Sequence, residues 1–265
     1  MIYRHITTEV EDRLFLVTIE RPDVMNALDP DTNFELDAAF NEFEQNDELW
    51  VAIITGSGDA AFSSGGDIRA MVDARTDEDY KVPPSGYGGL TDRHGCFKPI
   101  IAAVNGIAFG GGFETALACD IIVASETARF GLPEPRIGTA AVGSGMHRLV
   151  RDIGLKTAME LLVTGKSIDA ETALRLGIVN AVVPAGDLMD SAREYARQIL
   201  KCAPLAIQAT KQAAMQGLAC GGIKEAMQAQ HAQKFDRLGR MMKSEDIREG
   251  LTAFMGKRKP EWKGR

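Results

Sequence analysis

Three consecutive glycines at 110–112 divide an apolar stretch, and they constrain this chain more than any other feature. The run before them, 99–104 (PIIAAV), is strand-like, and 113–118 (FETALA) reads as a short buried helix. Asp120 closes that helix, and 121–123 begins another strand. Tandem glycines let a backbone approach a neighbour or a ligand closely, at a cost in chain entropy. They sit where a helix begins, so unpaired N–H groups and the positive end of the helix dipole face whatever lies there. Glu114 follows within the first turn. Two readings fit the stretch alone. It is a capped helix whose glutamate complements the dipole, or it is half of a site.

The remaining composition narrows the choice. A chain of 265 residues holds one large domain or two modest ones. Its 45% hydrophobic and 25% charged residues suit a soluble globular protein. The net charge of −7 argues against a general binder of nucleic acid or anionic membrane, so a polyanionic ligand would need a local basic patch. The cysteines at 96, 119, 202 and 220 form no CxxC pair, and His94 with Cys96 lacks a second ligand pair. No metal site is therefore expected. The N-terminal residues carry scattered charges unlike a signal peptide, and no apolar run reaches the ~20 residues of a membrane span. The cytoplasm is the expected compartment.

Along the chain, 2–8 and 13–20 predict two strands with a turn at 9–12, and 21–29 a loop. Asp29 and Pro30 predict the start of a helix running to about Asn46. A buried strand at 51–56 leads through a glycine-rich turn into a short helix near Asp67. Residues 72–90 read as a mobile surface segment, followed by a helix to about Phe97. Residues 128–154 hold a short strand, a proline-bounded turn and glycines. Helices at 156–164, 169–176 and 187–200 flank a strand at 178–184. From Pro204 only helices are expected, at 204–218, 221–239 and 245–255, before a basic tail. The expected division is a catalytic core at 1–200 and a helical region at 201–265.

Two segments run from a strand through glycines into a helix: IITGSGDAAFSSGGDI and AAVNGIAFGGGFE. Backbone N–H donors at two such turns are what an oxyanion hole requires. Two carboxylates accompany them, Glu114 and, between two prolines, Glu134. A carboxylate pair facing one substrate can divide acid and base work, while Glu134 alone fits an exposed turn residue better. Other readings of the glycines fail. There is no GxGxxG with a following acidic residue and no GxxxxGK[ST]. Ser144 lacks the glycine at 142 that a nucleophile elbow needs, so Ser144 and His147 read as structural.

With these pieces on view, the whole chain resembles the enoyl-CoA hydratase/isomerase (crotonase) family. The resemblance rests on RPDVMNAL, VAIITGSGDAAFSSGGDI, KPIIAAVNGIAFGGGFETALACDIIVAS, ARFGLPEPRIG, LVTGKSIDAETALRLGIVNAVVP and EGLTAFMGKRKPEWKGR. It implies an α/β fold: a spiral of ββα units in two stacked sheets, with a C-terminal helical region for trimerisation, trimers pairing into hexamers. It implies an acyl-CoA thioester as substrate, coenzyme A being part of that substrate, and no tightly bound cofactor. On matching positions, the N–H groups of Gly66 and Gly111 would hold the thioester oxygen as an enolate. Glu114 and Glu134 would manage the protons of water added to or removed from C2–C3. Having both glutamates favours a hydratase or dehydratase over an isomerase or a non-catalytic family member.

Met25, Ala27, Ser64, Asp67, Ile68, Tyr87 and Lys257 match positions that contact CoA or the acyl group. The tail cations Lys257, Arg258 and Lys259 are candidates for the CoA phosphates, or for a solvated tail. Within the family, GGFE, FGLPE, PSGYGGLT, LMDSAREYARQIL and WKGR are similar to carnitinyl-CoA dehydratases. A quaternary ammonium substrate would suit a cation–π contact with Tyr87. The chain departs from the family at GTAAVGSG (138–145), where Ala141 replaces a common proline and Val142 stands where some relatives carry an acid.

Overall fold

A hairpin opens the fold. Strands β1 (Ile6–Glu11) and β2 (Leu14–Ile19) pair antiparallel in the computed structural model, which describes residues 3–76 and 79–265. Residue 2 of the first expected strand and residues 77–78 of the 72–90 segment therefore lie outside the described residues. The turn falls at 12–13 instead of 9–12, because Glu9, Val10 and Glu11 pair with Leu16, Phe15 and Leu14. Asp12 takes the left-handed conformation that a short polar side chain tolerates.

Helix α1 (Pro30–Gln45) starts as its sequence predicts, with the Asp29 carboxylate accepting from the Thr32 N–H and Pro30 in the first turn. Its buried stripe includes Leu36, Phe40 and Phe43, and the Phe43 ring stacks on Phe15 at 6.0 Å. The chain then builds repeats of two strands and a helix. β3 (Val51–Gly56), β4 (Ala61–Ser63) and α2 (Ile68–Asp73) form the first. β5 (Ile100–Val104), β6 (Ile107–Phe109) and α3 (Gly111–Leu117) form the second. β7 (Ile121–Ser125) and β8 (Arg129–Gly131) lead into a 3-10 turn at Glu134–Ile137, then α4 (Gly145–Ile153) and α5 (Leu155–Thr164). β9 (Ser167–Asp169), α6 (Ala170–Leu176), β10 (Ala181–Val183) and α7 (Leu188–Leu200) follow.

The strands sort into two mixed sheets. One has the order β1-β2-β3-β5-β7-β10 and is parallel except at β1–β2; the other has the order β4-β6-β8-β9 and is parallel except at β8–β9. β3 and β5 are buried along their whole length, as their unbroken apolar sequences require. By packing, the chain forms two units: residues 1–94 with 100–196, and residues 95–99 with 197–265. The second holds α8 (Pro204–Gly217), α9 (Ile223–His231), α10 (Asp236–Met242) and α11 (Glu245–Met255).

Several local expectations change. Residues 80–90 are not a solvated segment. Gly88 and Gly89 are buried, the Gly88 N–H donates to Asn33, and a Cβ on Gly89 would fall 2.6 Å from the Asp37 backbone nitrogen. Their lack of side chains lets this stretch press onto α1. The helix expected next is replaced by a 3-10 turn at Tyr87–Gly89 followed by loops. The single helix expected over 221–239 is two, broken where Gln233 turns left-handed. α4 was not anticipated as a helix.

The loop at 21–28 is ordered from within. Asn26 is fully buried and left-handed, and its amide donates to the Ala61 and Ser57 carbonyls at 2.7 and 3.0 Å. Its Oδ1 accepts from the Arg21 N–H. Asn26→Ala removes these partners inside the protein, so urea unfolding is expected to show a loss of about 2–4 kcal/mol. A loss under about 0.5 kcal/mol would mean that the loop is held elsewhere.

Candidate active site

Three parallel strands place the candidate residues together. β4, β6 and β8 are neighbours running in one direction, so their C-terminal ends lie side by side. Beyond β4 come Gly65 and Gly66, beyond β6 come residues 110–112 and Glu114, and beyond β8 comes Glu134. Residues far apart in sequence become adjacent because each repeat adds one strand to this sheet.

The two glycine turns meet closely. Gly65 has φ +97, and a Cβ there would lie 2.6 Å from the Phe109 oxygen and 3.1 Å from the Gly111 nitrogen. The Gly65 carbonyl accepts from the Leu28 N–H and the Leu28 carbonyl from the Asp67 N–H, a bridge that bypasses the Gly66 N–H. On the other turn, Gly110 donates to the Gly131 carbonyl and receives the Glu114 N–H. Among the described residues neither the Gly66 nor the Gly111 N–H finds an acceptor.

Every residue of α3 is buried, Glu114 included at 2% exposure. Such a carboxyl needs hydrogen-bond partners, and the first residue of α4 and the turn before it supply them. Glu114 Oε1 accepts from the Gly145 N–H at 2.8 Å, and the Gly143 N–H also donates to the carboxylate. Burial nevertheless dominates and pushes the Glu114 carboxyl up to about 7, with the charge of Glu134 adding to the rise. Burial likewise raises Glu134, which stands in the 3-10 turn after Pro133. Its Oε1 lies 3.1 Å from where a Cβ on Gly110 would be, and its buried Oε2 has no partner among the described residues.

A cavity of about 140 Å³ joins these groups, lined by Gly66, Gly111, Glu114 and Glu134. Ser64, Ile68 and Tyr87 line it as well. The Ser64 N–H donates to the Met25 carbonyl at 2.9 Å, and the Ala27 carbonyl accepts from Arg21. The Asp67 carboxylate faces away into structural work. It caps α2 through the Arg69 and Ala70 N–H groups and pairs with Arg21 at 3.2 Å. Lys257 is an exposed, left-handed residue of the second unit, where its neighbour Arg258 is held by both oxygens of Glu249. Ser144 is structural, its hydroxyl donating to the Thr91 carbonyl and accepting from Arg148.

Sequence reading missed Gly143 and Gly145, since it saw no helix at 145–153. The amphipathic run MHRLVRDI behind two glycines was the available signal. It also missed Arg21, which joins Asp29 at 3.0 Å to Asp67 and so ties the 21–28 loop to α2. At the cavity mouth, Ile137 and Val142 are 63% and 68% exposed, an apolar rim.

The raised Glu114 carboxyl has a consequence for stability. Its folded value lies above its unfolded one, so the folded state binds the extra proton, and stability falls as pH rises from 4.5 through about 7. Glu114→Gln cannot lose a proton and should lack this fall. Urea unfolding at about pH 5 and about pH 8 should show the parent losing roughly 2–3 kcal/mol more than the variant. Equal losses would mean that Glu114 is solvated.

Comparison with known proteins identifies the fold and the family. Residues 9–265 match the family model described as enoyl-CoA hydratase/isomerase. A carnitinyl-CoA dehydratase of Citrobacter koseri is 44% identical over 255 residues, covering 94% of each chain. One of Salmonella agona is 43% identical over the same shares. Among solved structures, an enoyl-CoA hydratase of Mycobacterium tuberculosis superposes with a TM-score of 0.89 at 35% identity, covering 98% of this chain and 99% of that one. One of Bacillus anthracis reaches 0.89 at 28% identity, covering 99% of this chain and all of that one. With both sheets, the C-terminal helices and nearly the full length accounted for, the chain belongs to the enoyl-CoA hydratase/isomerase family.

Proposed function

We propose that this protein adds water to, or removes it from, the C2–C3 bond of a 2-enoyl-CoA thioester, with Glu114 and Glu134 as the acid–base pair. Family membership makes it a crotonase-type enzyme of the enoyl-CoA hydratase/dehydratase kind acting on CoA thioesters. The residue roles and the acyl group are our own reading. The observation that carries it is the convergence, on one cavity, of two carboxyls and two glycine turns of which the Gly66 and Gly111 N–H groups have no acceptor among the described residues.

The chemistry follows from those groups. The thioester oxygen accepts from the Gly66 and Gly111 N–H groups, which favour the enolate over the neutral carbonyl because charge builds on that oxygen. As water oxygen bonds to C3, the C2–C3 π pair moves toward the thioester oxygen. One carboxylate takes the proton that water loses, and the other carboxyl delivers a proton to C2. Dehydration runs the same steps backwards. Unequal surroundings suit a division of labour: Glu114 is tied to two backbone donors, while Glu134 keeps an oxygen free of partners among the described residues. The CoA moiety would lie along Met25, Ala27 and Ser64, with Lys257 reaching its phosphates in the assembled oligomer.

The finer reading is a carnitinyl-CoA dehydratase, favoured by relatives of that name at 43–44% identity and by the aromatic ring of Tyr87 in the cavity lining. The test is loss of the conjugated-thioester absorbance with crotonyl-CoA and, separately, crotonobetainyl-CoA. Turnover of either supports the hydro-lyase reading, and the ratio assigns the acyl group. No change with either at high enzyme concentration counts against it. Glu114→Gln and Glu134→Gln should each slow turnover by roughly 10²–10⁴. A near-normal rate removes that residue from the mechanism.

The second unit leaves large apolar side chains uncovered, with Ile223, Phe254 and Met255 each 85% exposed. Such surface suits burial against further copies of the chain, so we read the protein as a homotrimer or a pair of trimers. Light scattering should return three or six chain masses; a monomer at micromolar concentration would exclude this.

A further inference from the structure

Tyr87 is packed in a way that acyl-group recognition does not require. Its ring is wedged edge to edge between two glycines. A Cβ on Gly111 would lie 3.0 Å from its Cδ1, and a Cβ on Gly143 would lie 3.0 Å from its Cδ2. The same Gly143 Cβ would fall 2.5 Å from Glu114 Oε2. The ring and the Glu114 carboxyl therefore share one patch of backbone that only glycine leaves open.

The far end of the ring meets a second tyrosine. The Tyr80 hydroxyl donates to the Leu28 carbonyl at 2.8 Å and lies beside the Tyr87 hydroxyl. Both hydroxyls sit over Gly66, 3.0 and 3.5 Å from where its Cβ would be. One chain of contacts thus runs from Leu28, which bridges Gly66, through two tyrosines to the wall of Glu114.

We propose that Tyr87 is a positioning residue whose ring, wedged between Gly111 and Gly143, keeps bulk water off the Glu114 carboxyl. This rests on Glu114 being an acid–base group of the proposed reaction, but its physical content is independent of turnover. The other groups acting on Glu114 are Glu134 beyond β8 and Asp92 beyond the 3-10 turn. From α4, which packs on α3, come the Gly145 N–H and Arg148, and from the turn before it the Gly143 N–H. Arg148 is held by Ser144 and the Thr91 carbonyl, and it faces Cys119, Asp152, Asp92 and Asp120. The Tyr87 variants replace none of these charged side chains, so a change in Glu114 titration reports the ring.

The experiment is a titration of Glu114 by carboxyl-carbon NMR on protein labelled at glutamate, the resonance assigned by its loss in Glu114→Gln. The parent should titrate near 7. Tyr87→Phe keeps the ring and should titrate within about 0.3 units of it, whereas Tyr87→Ala admits water and should titrate at least about one unit lower. If the alanine variant does not fold, Tyr87→Val opens the same gap with less loss of packing. A folded Ala or Val variant that titrates less than about one unit below the parent overturns the proposal, and so does a Phe variant that falls as far as they do. In an active parent, the matching limb of the pH–rate profile should move with the NMR titration. A parent inactive on every enoyl thioester would sink the proposed reaction while leaving the titration to decide the role of Tyr87.

Discussion

A carboxyl group inside a helix that exposes no residue is the constraint from which the site is built. Glu114 has no route to bulk water through α3, so the fold must bring donors to it. The N–H groups of Gly145, the first residue of α4, and of Gly143 in the turn before it do this, and they fix where α4 begins relative to α3. Backbone donors satisfy the charge without adding a cation. The carboxyl is therefore held in place and still left with a raised proton affinity, a combination that an arginine partner would have abolished.

Close approach of backbones is the second requirement, and glycine meets it at particular positions. Side chains at 65 and 112 would strike the Phe109 and Ser63 carbonyls, and side chains at 111 and 143 would displace the Tyr87 ring. Each glycine clears space for a different neighbour. The parallel order of β4, β6 and β8 decides that these spaces open onto one another.

Much of this could be read in the chain, for physical reasons that differ by residue. Glycines beside a glutamate in an apolar run mark a site because such residues cost stability unless the structure uses them. The Asp29 cap, the buried strand at 51–56 and the short helix after Asp67 follow from local rules that act within a few residues. Residues 80–90 went the other way. Their glycines and polar residues fit a solvated loop until α1 lies beneath them, and a contact with α1 is not a local property. Asp67 matched a ligand-binding position by sequence, yet its carboxylate is taken up by an α2 cap and Arg21.

By itself the sequence determined the alternation of strands and helices up to about residue 200, the two glycine turns and the identities of Glu114 and Glu134. These are set by side-chain chemistry and by pattern over short distances. Only the tertiary structure decided that Gly143 and Gly145 hold Glu114 and that Tyr80 and Tyr87 reach Gly66 and Gly111. It also decided that one oxygen of Glu134 is buried without a partner among the described residues. Each of these depends on the distance between segments 20 or more residues apart in most cases, which strand order and helix packing fix. The glycines at 110–112 were visible at once as a place for a site. What faces them was settled by the neighbours that the fold delivers.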